Sequence, residues 1–63
     1  IDKAITYLTH SINLNPSEPT TYYQRAKCFL AMNEKTKAKL DLDEAIKLNP
    51  EYVEAKKEQL KLK

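Results

Sequence analysis

The side chains that could carry out chemistry are few and isolated in this 63-residue sequence. His10 is the single histidine, and no second metal ligand or nucleophile stands at a useful spacing from it. Cys28 is the single cysteine, and a lone thiol beside an apolar stripe is more often a packing residue than a reactive one. We therefore predict no catalytic residue, no metal site and no cofactor, and we predict that the protein is not an enzyme.

Composition narrows the class of protein further. Eleven Lys and Arg against nine Asp and Glu give a net charge of +2, with the two signs interleaved along the chain. Nucleic-acid-binding proteins usually gather basic residues on one face, so we rank that function last. No apolar run approaches the roughly 20 residues of a membrane-spanning helix, and we expect no membrane insertion. The single cysteine predicts a cytoplasmic protein.

An internal repeat organises the sequence. The phrase Ile12-Asn13-Leu14-Asn15-Pro16 returns 34 residues later as Ile46-Lys47-Leu48-Asn49-Pro50. The same shift superposes three further pairs: Lys3 on Lys37, Ala4 on Ala38 and Leu8 on Leu42. A 34-residue period with an apolar face and a proline stop is typical of helix-turn-helix solenoids. Because the chain starts with Ile in the middle of a unit, we expect a fragment of a longer array.

The predicted fold is all-α, because glycine is absent and no stretch alternates with period two. It is an antiparallel helix-turn-helix solenoid, with helices at about 2–14, 19–32, 35–48 and 52–62. Ser17 or Glu18 is expected to cap the second helix, with Pro19 at its first position. Asn33 is expected to take the left-handed turn that usually needs glycine.

Apolar stripes define the faces that these helices bury. The first helix carries Ile1, Ile5, Leu8 and Ile12. The second and third carry Tyr22, Ala26, Phe29 and Leu30, and then Ala38, Leu42, Ala45 and Ile46. We expect the last helix to be mostly solvated, supported by the pairs Glu54 with Lys57 and Glu58 with Lys61.

Residues 19–52 resemble one complete tetratricopeptide repeat (TPR). The signature positions of that family are filled by Tyr22, Ala26, Phe29, Ala38, Leu42, Ala45 and Pro50. The resemblance divides the chain into the second half of a preceding repeat (1–16), a complete repeat (19–52) and a closing helix (52–63). Arg25 departs from the family pattern, which has Leu there, and Lys56 replaces an aromatic residue, which suggests that the array ends here.

The sequence also predicts an ion-pair partner for the Arg25 side chain. Asp41 lies one place before Leu42, and a similar Arg and Asp combination occurs in repeats of co-chaperone type. We predict that the Arg25 and Asp41 side chains approach within about 6 Å across the helix pair, the range in which opposite charges stabilise each other.

The resemblance also implies a binding surface. In TPR arrays the first helices of successive repeats line a concave groove, and the residues carried over by position are Thr20, Tyr23, Gln24, Lys27, Leu30 and Ala31. The alternative is that these are solvated helix residues in a supporting repeat. A carboxylate clamp of co-chaperone type is a narrower version, in which Gln24 stands at an Asn place while Glu54 and Glu58 would repel an acidic ligand.

The predicted function is a protein–protein interaction module, part of a TPR array that binds a peptide or protein partner or scaffolds an assembly, with a co-chaperone relationship as its narrower form. The alternative is a structural segment without its own ligand groove. Part of the first helix, around Ile1, Ile5 and Tyr7, is expected to be uncovered, so self-association through that helix is the second hypothesis.

Overall fold

Four α-helices follow one another along the chain in the computed structural model, which describes residues 2–62. The helices are α1 (Asp2–Leu14), α2 (Pro19–Ala31), α3 (Lys35–Leu48) and α4 (Val53–Lys61). No strand occurs within that range, and the predicted all-α fold is confirmed. The expectation for Ile1 falls outside the described residues.

The last helix is shorter than predicted by one residue at each end. Tyr52 is its N-cap and Leu62 its C-cap, so neither has a place inside the helix. Similarly, Met32 caps α2 rather than belonging to it.

Local side-chain and backbone chemistry sets both ends of α2. Glu18 is the N-cap, and its carboxylate accepts a hydrogen bond from the Thr20 amide at 3.4 Å, with Pro19 following at the first position. At the other end, Asn33 has a φ of 62°, as predicted. The amide of Glu34 donates to the Phe29 carbonyl at 2.8 Å, which closes a Schellman-type turn without glycine.

The core lies between α2 and α3 and is built largely from small residues. Its fully buried members are Ala26, Ala38, Leu42, Ala45 and Ala55. Alanine allows two helix backbones to approach closely, so α2 and α3 pack along their length, as predicted from Ala26, Ala38 and Ala45. Larger apolar side chains pack around this centre and are only partly buried: Tyr22, Tyr23, Phe29, Leu30, Ile46, Tyr52 and Leu62.

α1 packs against α2 through one side only. Leu8 and Ile12 are buried at this contact, and Ile5 is half-buried. Tyr7, by contrast, is 70% exposed. The apolar surface expected around Ile5 and Tyr7 is therefore present on α1.

α4 packs against α3 through Ala55, while Val53 and Leu60 remain exposed. The predicted pair of Glu58 and Lys61 forms, with 3.5 Å between the carboxylate and the ammonium. The ion pairs of residues 2–62 do not include one between Glu54 and Lys57, so that predicted contribution is lacking. Packing against α3 holds this helix more than its own charge pairs do.

Candidate protein-binding face

The six residues expected to line a groove all lie on α2, at spacings of three and four that place them on one side of the helix. We call them the α2 face. Four of them are exposed, namely Thr20, Gln24, Lys27 and Ala31. Tyr23 and Leu30 are half-buried and pack against the core. The helix therefore presents a surface with two large apolar side chains, Tyr23 and Leu30, among smaller or polar ones.

An aromatic pair joins the α2 face to the beginning of α4. The rings of Tyr23 and Tyr52 have centroids 5.2 Å apart with 47° between their planes, an arrangement that aromatic pairs favour. The ammonium of Lys27 lies 5.5 Å from the Tyr23 ring centroid, within the range of a cation–π contact. Sequence reasoning assigned no such role to Tyr52. The sequence signal for it was an aromatic residue directly before α4.

The α2 face is nearly free of charge. Lys27 is the charged residue in it, and within residues 2–62 its ammonium makes no ion pair with a carboxylate. On α4, Glu54 is exposed and Glu58 is paired with Lys61. The acidic residues that argue against a carboxylate clamp are therefore both present on α4, and Glu54 is exposed there.

A partly buried ion pair fixes the opposite side of α2. Arg25 donates from Nε and Nη2 to the two carboxylate oxygens of Asp41, each at 2.7 Å, which confirms the predicted approach. Its Nη1 donates to the Thr9 hydroxyl at 3.2 Å, and its guanidinium carbon lies 5.7 Å from the Phe29 ring centroid. Asp41 is 4% exposed.

The hydrogen bonds to Asp41 raise the pKa of the Arg25 guanidinium above its ordinary value, outweighing the opposing effect of burial. Arg25 thus stays charged while linking three helices. The Thr9 contact was not predicted, although Thr9 and Asp41 stand 16 residues before and after Arg25.

The two isolated chemical side chains differ in environment. His10 is exposed on α1, and Cys28 is a free, half-buried thiol on α2. Within residues 2–62, no three His, Cys, Asp or Glu side chains are grouped so that they could hold a metal ion, and no pocket is formed. None of the helices in that range has the length and apolar character that crossing a membrane requires.

Helix hairpins stacked in chain order, with small residues at their contacts, define the class of helical repeat proteins. The family model of the tetratricopeptide repeat matches residues 19–52, which is more than half of the chain. The chain belongs to the tetratricopeptide repeat family, whose repeats generally mediate protein–protein interaction. A search of the solved structures found no match.

Proposed function

We propose that this protein is an interaction module in which the α2 face of a TPR array contacts a peptide or protein partner. The observation that supports it most is the composition of that face beside α4. Tyr23 and Tyr52 form a partly exposed aromatic pair, flanked by Gln24 and Lys27, which are exposed and can hydrogen-bond. Tyrosine is enriched and acidic residues are depleted at protein interfaces, and α2 has that composition.

The outer side of α3 offers a poorer candidate surface. Its exposed residues include Leu40 among charged neighbours such as Lys39, Asp43 and Lys47. A single exposed leucine is ordinary on a soluble surface, and dense charge is depleted at interface centres. The α2 face is therefore the preferred contact surface.

A co-chaperone role is the narrower form of this proposal. It would require an acidic peptide end to lie beside Gln24 and Lys27. Glu54 is exposed on the neighbouring helix and carries the same charge as such a ligand, so it would weaken binding. Arg25 and Asp41 do not contribute, because they neutralise each other away from the α2 face. We rank this form below a partner with an uncharged or mixed contact surface.

The alternative is self-association through α1. Tyr7 is 70% exposed and Leu14 is also exposed on the same helix, while Ile5 is half-buried. Exposed apolar surface of this kind can favour contact with another chain. Light scattering over a range of protein concentrations tests it: a mass that rises for the wild type but not for Tyr7→Ser supports association, and a constant monomer mass contradicts it.

A matched pair of charge reversals tests the main proposal. Lys27→Glu changes the α2 face, whereas Lys39→Glu makes the same change at an exposed place on α3. Affinity capture with this protein should lose a partner with Lys27→Glu and retain it with Lys39→Glu. Equal partner recovery with both variants would contradict the assignment. Tyr23→Ala is unsuitable here, because Tyr23 packs against the core and Tyr52.

Catalysis, cofactor or metal binding, nucleic-acid binding and membrane insertion are functions that we do not assign to this protein. We propose that it is not an enzyme, needs no cofactor or metal, and binds neither nucleic acid nor the membrane interior. The mixed surface charge supports the nucleic-acid part, and a cytoplasmic location is proposed from the single cysteine. Turnover of any substrate by the purified protein, lost with a Cys28→Ala variant, would contradict the non-enzymatic part.

A further inference from the structure

Two hydrogen bonds between neighbouring helices repeat with the period of the sequence. Arg25 on α2 donates through Nη1 to the Thr9 hydroxyl on α1, and Gln59 on α4 donates through Nε2 to the Asp43 carboxylate on α3. In each pair the donor stands 16 residues after the acceptor. Moving the first pair along by one 34-residue period gives the second pair.

The repetition concerns position rather than residue type. Arg and Thr form one bond, while Gln and Asp form the other, so different side chains produce the same link between a helix and the one before it. Both acceptors lie on the second helix of a repeat and both donors on the first helix of the next. The two bonds therefore mark the junction between successive repeats.

Hydrogen bonds are more important than apolar packing for fixing the position of the helices at these junctions. α4 has Ala55 as its fully buried residue, and α1 meets α2 through Leu8 and Ile12. Apolar packing over so few side chains permits small rotations and shifts of one helix on another, whereas a hydrogen bond weakens steeply when its angle changes. A hydrogen bond between a given donor and acceptor therefore favours one position of a helix on its neighbour.

We propose that Arg25 and Gln59 are positioning residues that fix each repeat on the preceding one. Through its bond to Asp43, Gln59 sets where α4 lies beside α2, and thereby holds Tyr52 against Tyr23. Only the consequence for partner binding rests on the proposed function. The placement of α4 is a property of the chain itself.

Gln59 gives the cleaner test, because Arg25 also pairs with Asp41 inside its own repeat. Gln59→Glu is nearly isosteric, removes the donor and sets a carboxylate against that of Asp43. The double variant Asp43→Asn with Gln59→Glu restores a bond in the opposite direction, from the Asn amide to the Glu carboxylate. Gln24→Glu makes the same substitution at an exposed position on α2 and serves as the control.

Amide hydrogen exchange and NMR contacts of the 63-residue chain provide the readouts. Gln59→Glu should speed exchange in α4 by roughly 2- to 10-fold, the range expected from losing one ordinary hydrogen bond. It should also weaken the NMR contact between the Tyr23 and Tyr52 rings, which lie two helical turns from Gln59. Loss of one local bond without a positioning role would leave that ring contact unchanged. The double variant should restore both values, and Gln24→Glu should change neither.

Unchanged α4 exchange in Gln59→Glu, an unchanged ring contact, or failure of the double variant to restore them would overturn the proposal. Hydrogen exchange of the core amides in α2 and α3 reports whether each variant is folded. Should the single variant fail to fold, the double variant can be compared with the wild type instead. Failure of the proposed binding function can be told apart from failure of the positioning role. In that case Lys27→Glu would leave partner recovery unchanged, while Gln59→Glu would still speed hydrogen exchange in α4.

Discussion

Replacement of Leu42 by alanine is the substitution that we expect to cost the most stability. Leu42 is 0% exposed and is the largest fully buried side chain of the described residues. Truncating a buried leucine to alanine costs about 2–5 kcal/mol, and the value depends on how far the surrounding side chains fill the cavity. Here the buried neighbours are Ala26, Ala38, Ala45 and Ala55, whose methyl groups have no rotamers with which to move into the space.

Partly buried side chains such as Tyr22 and Phe29 also pack against this cluster and can fill part of the space, so the expected cost spans the range of about 2–5 kcal/mol. A domain of this size has a total free energy of unfolding of about 3–9 kcal/mol, from about 0.05–0.15 kcal/mol per residue. Leu42→Ala should therefore remove a large part of the free energy of unfolding. Equilibrium urea unfolding followed by circular dichroism measures the effect, and the wild-type protein supplies the baseline.

Leu40 provides the matched control, two positions earlier on the same helix. It is 64% exposed, so Leu40→Ala removes the same atoms from α3 without opening a cavity. Its effect should lie within about 0.5 kcal/mol of zero, as for other surface changes. Equal losses at Leu40 and Leu42, or a loss below about 1 kcal/mol at Leu42, would refute the assignment of the core.

Two further sets of variants test the contacts that hold α2. Asp41→Asn should lower the free energy of unfolding by about 1–3 kcal/mol, a value reduced from that of a fully buried pair because the Arg25 side chain is 20% exposed. The hydrogen bonds to Asp41 raise the pKa of the Arg25 guanidinium above its ordinary value, so its contribution to stability is present below the ordinary pKa and is lost only as the pH rises through the raised one. The cost of Asp41→Asn measured by urea unfolding should therefore not fall between neutral pH and about pH 10, and a steep fall there would contradict this. Asn33→Gly should increase stability by a few tenths of a kcal/mol to about 1, because φ is positive there, whereas Asn13→Gly in the last turn of α1 should decrease it by a few tenths of a kcal/mol. Thermal unfolding of both variants checks the two signs, and a loss of stability at Asn33 would count against the left-handed turn.

Much of the fold could be predicted from the sequence because local rules and the repeat agree. The prolines at 16, 19 and 50 set helix boundaries, and Asn33 supplies the left-handed residue of the turn between α2 and α3. The small residues Ala26, Ala38 and Ala45 predict where two helices meet. Arg25 and Asp41 could be paired, because an Arg at an apolar position needs a compensating charge.

The polar contacts of α1 with α2 and of α3 with α4 were harder to predict. Thr9, Asp43 and Gln59 are polar residues among many on their helices, and helical periodicity does not indicate which pairs will meet. Their contacts depend on the rotation of one helix on another, which the tertiary packing decides. The same limit applies to Tyr52, whose ring meets Tyr23 only because α4 begins beside α2.

The degree of burial also required the structure. Phe29 lies on the predicted inner stripe but is half-buried, with the cations of Arg25 and Lys37 near its ring, whereas Leu42 is fully enclosed. Helical spacing gives the direction of a side chain but not how completely its neighbours cover it. For the α2 face, the sequence indicated which residues share a side of the helix, and the contact with a partner stays a prediction.

Site-specific photo-crosslinking tests the binding role of the α2 face most directly. A photoreactive residue would be placed at Gln24 on α2 or at Lys39 on α3, two exposed positions on different helices. We expect a discrete crosslinked partner from position 24 and none from position 39. Crosslinking from position 39 alone, or from neither position while the partner still binds, would contradict the assignment of this face.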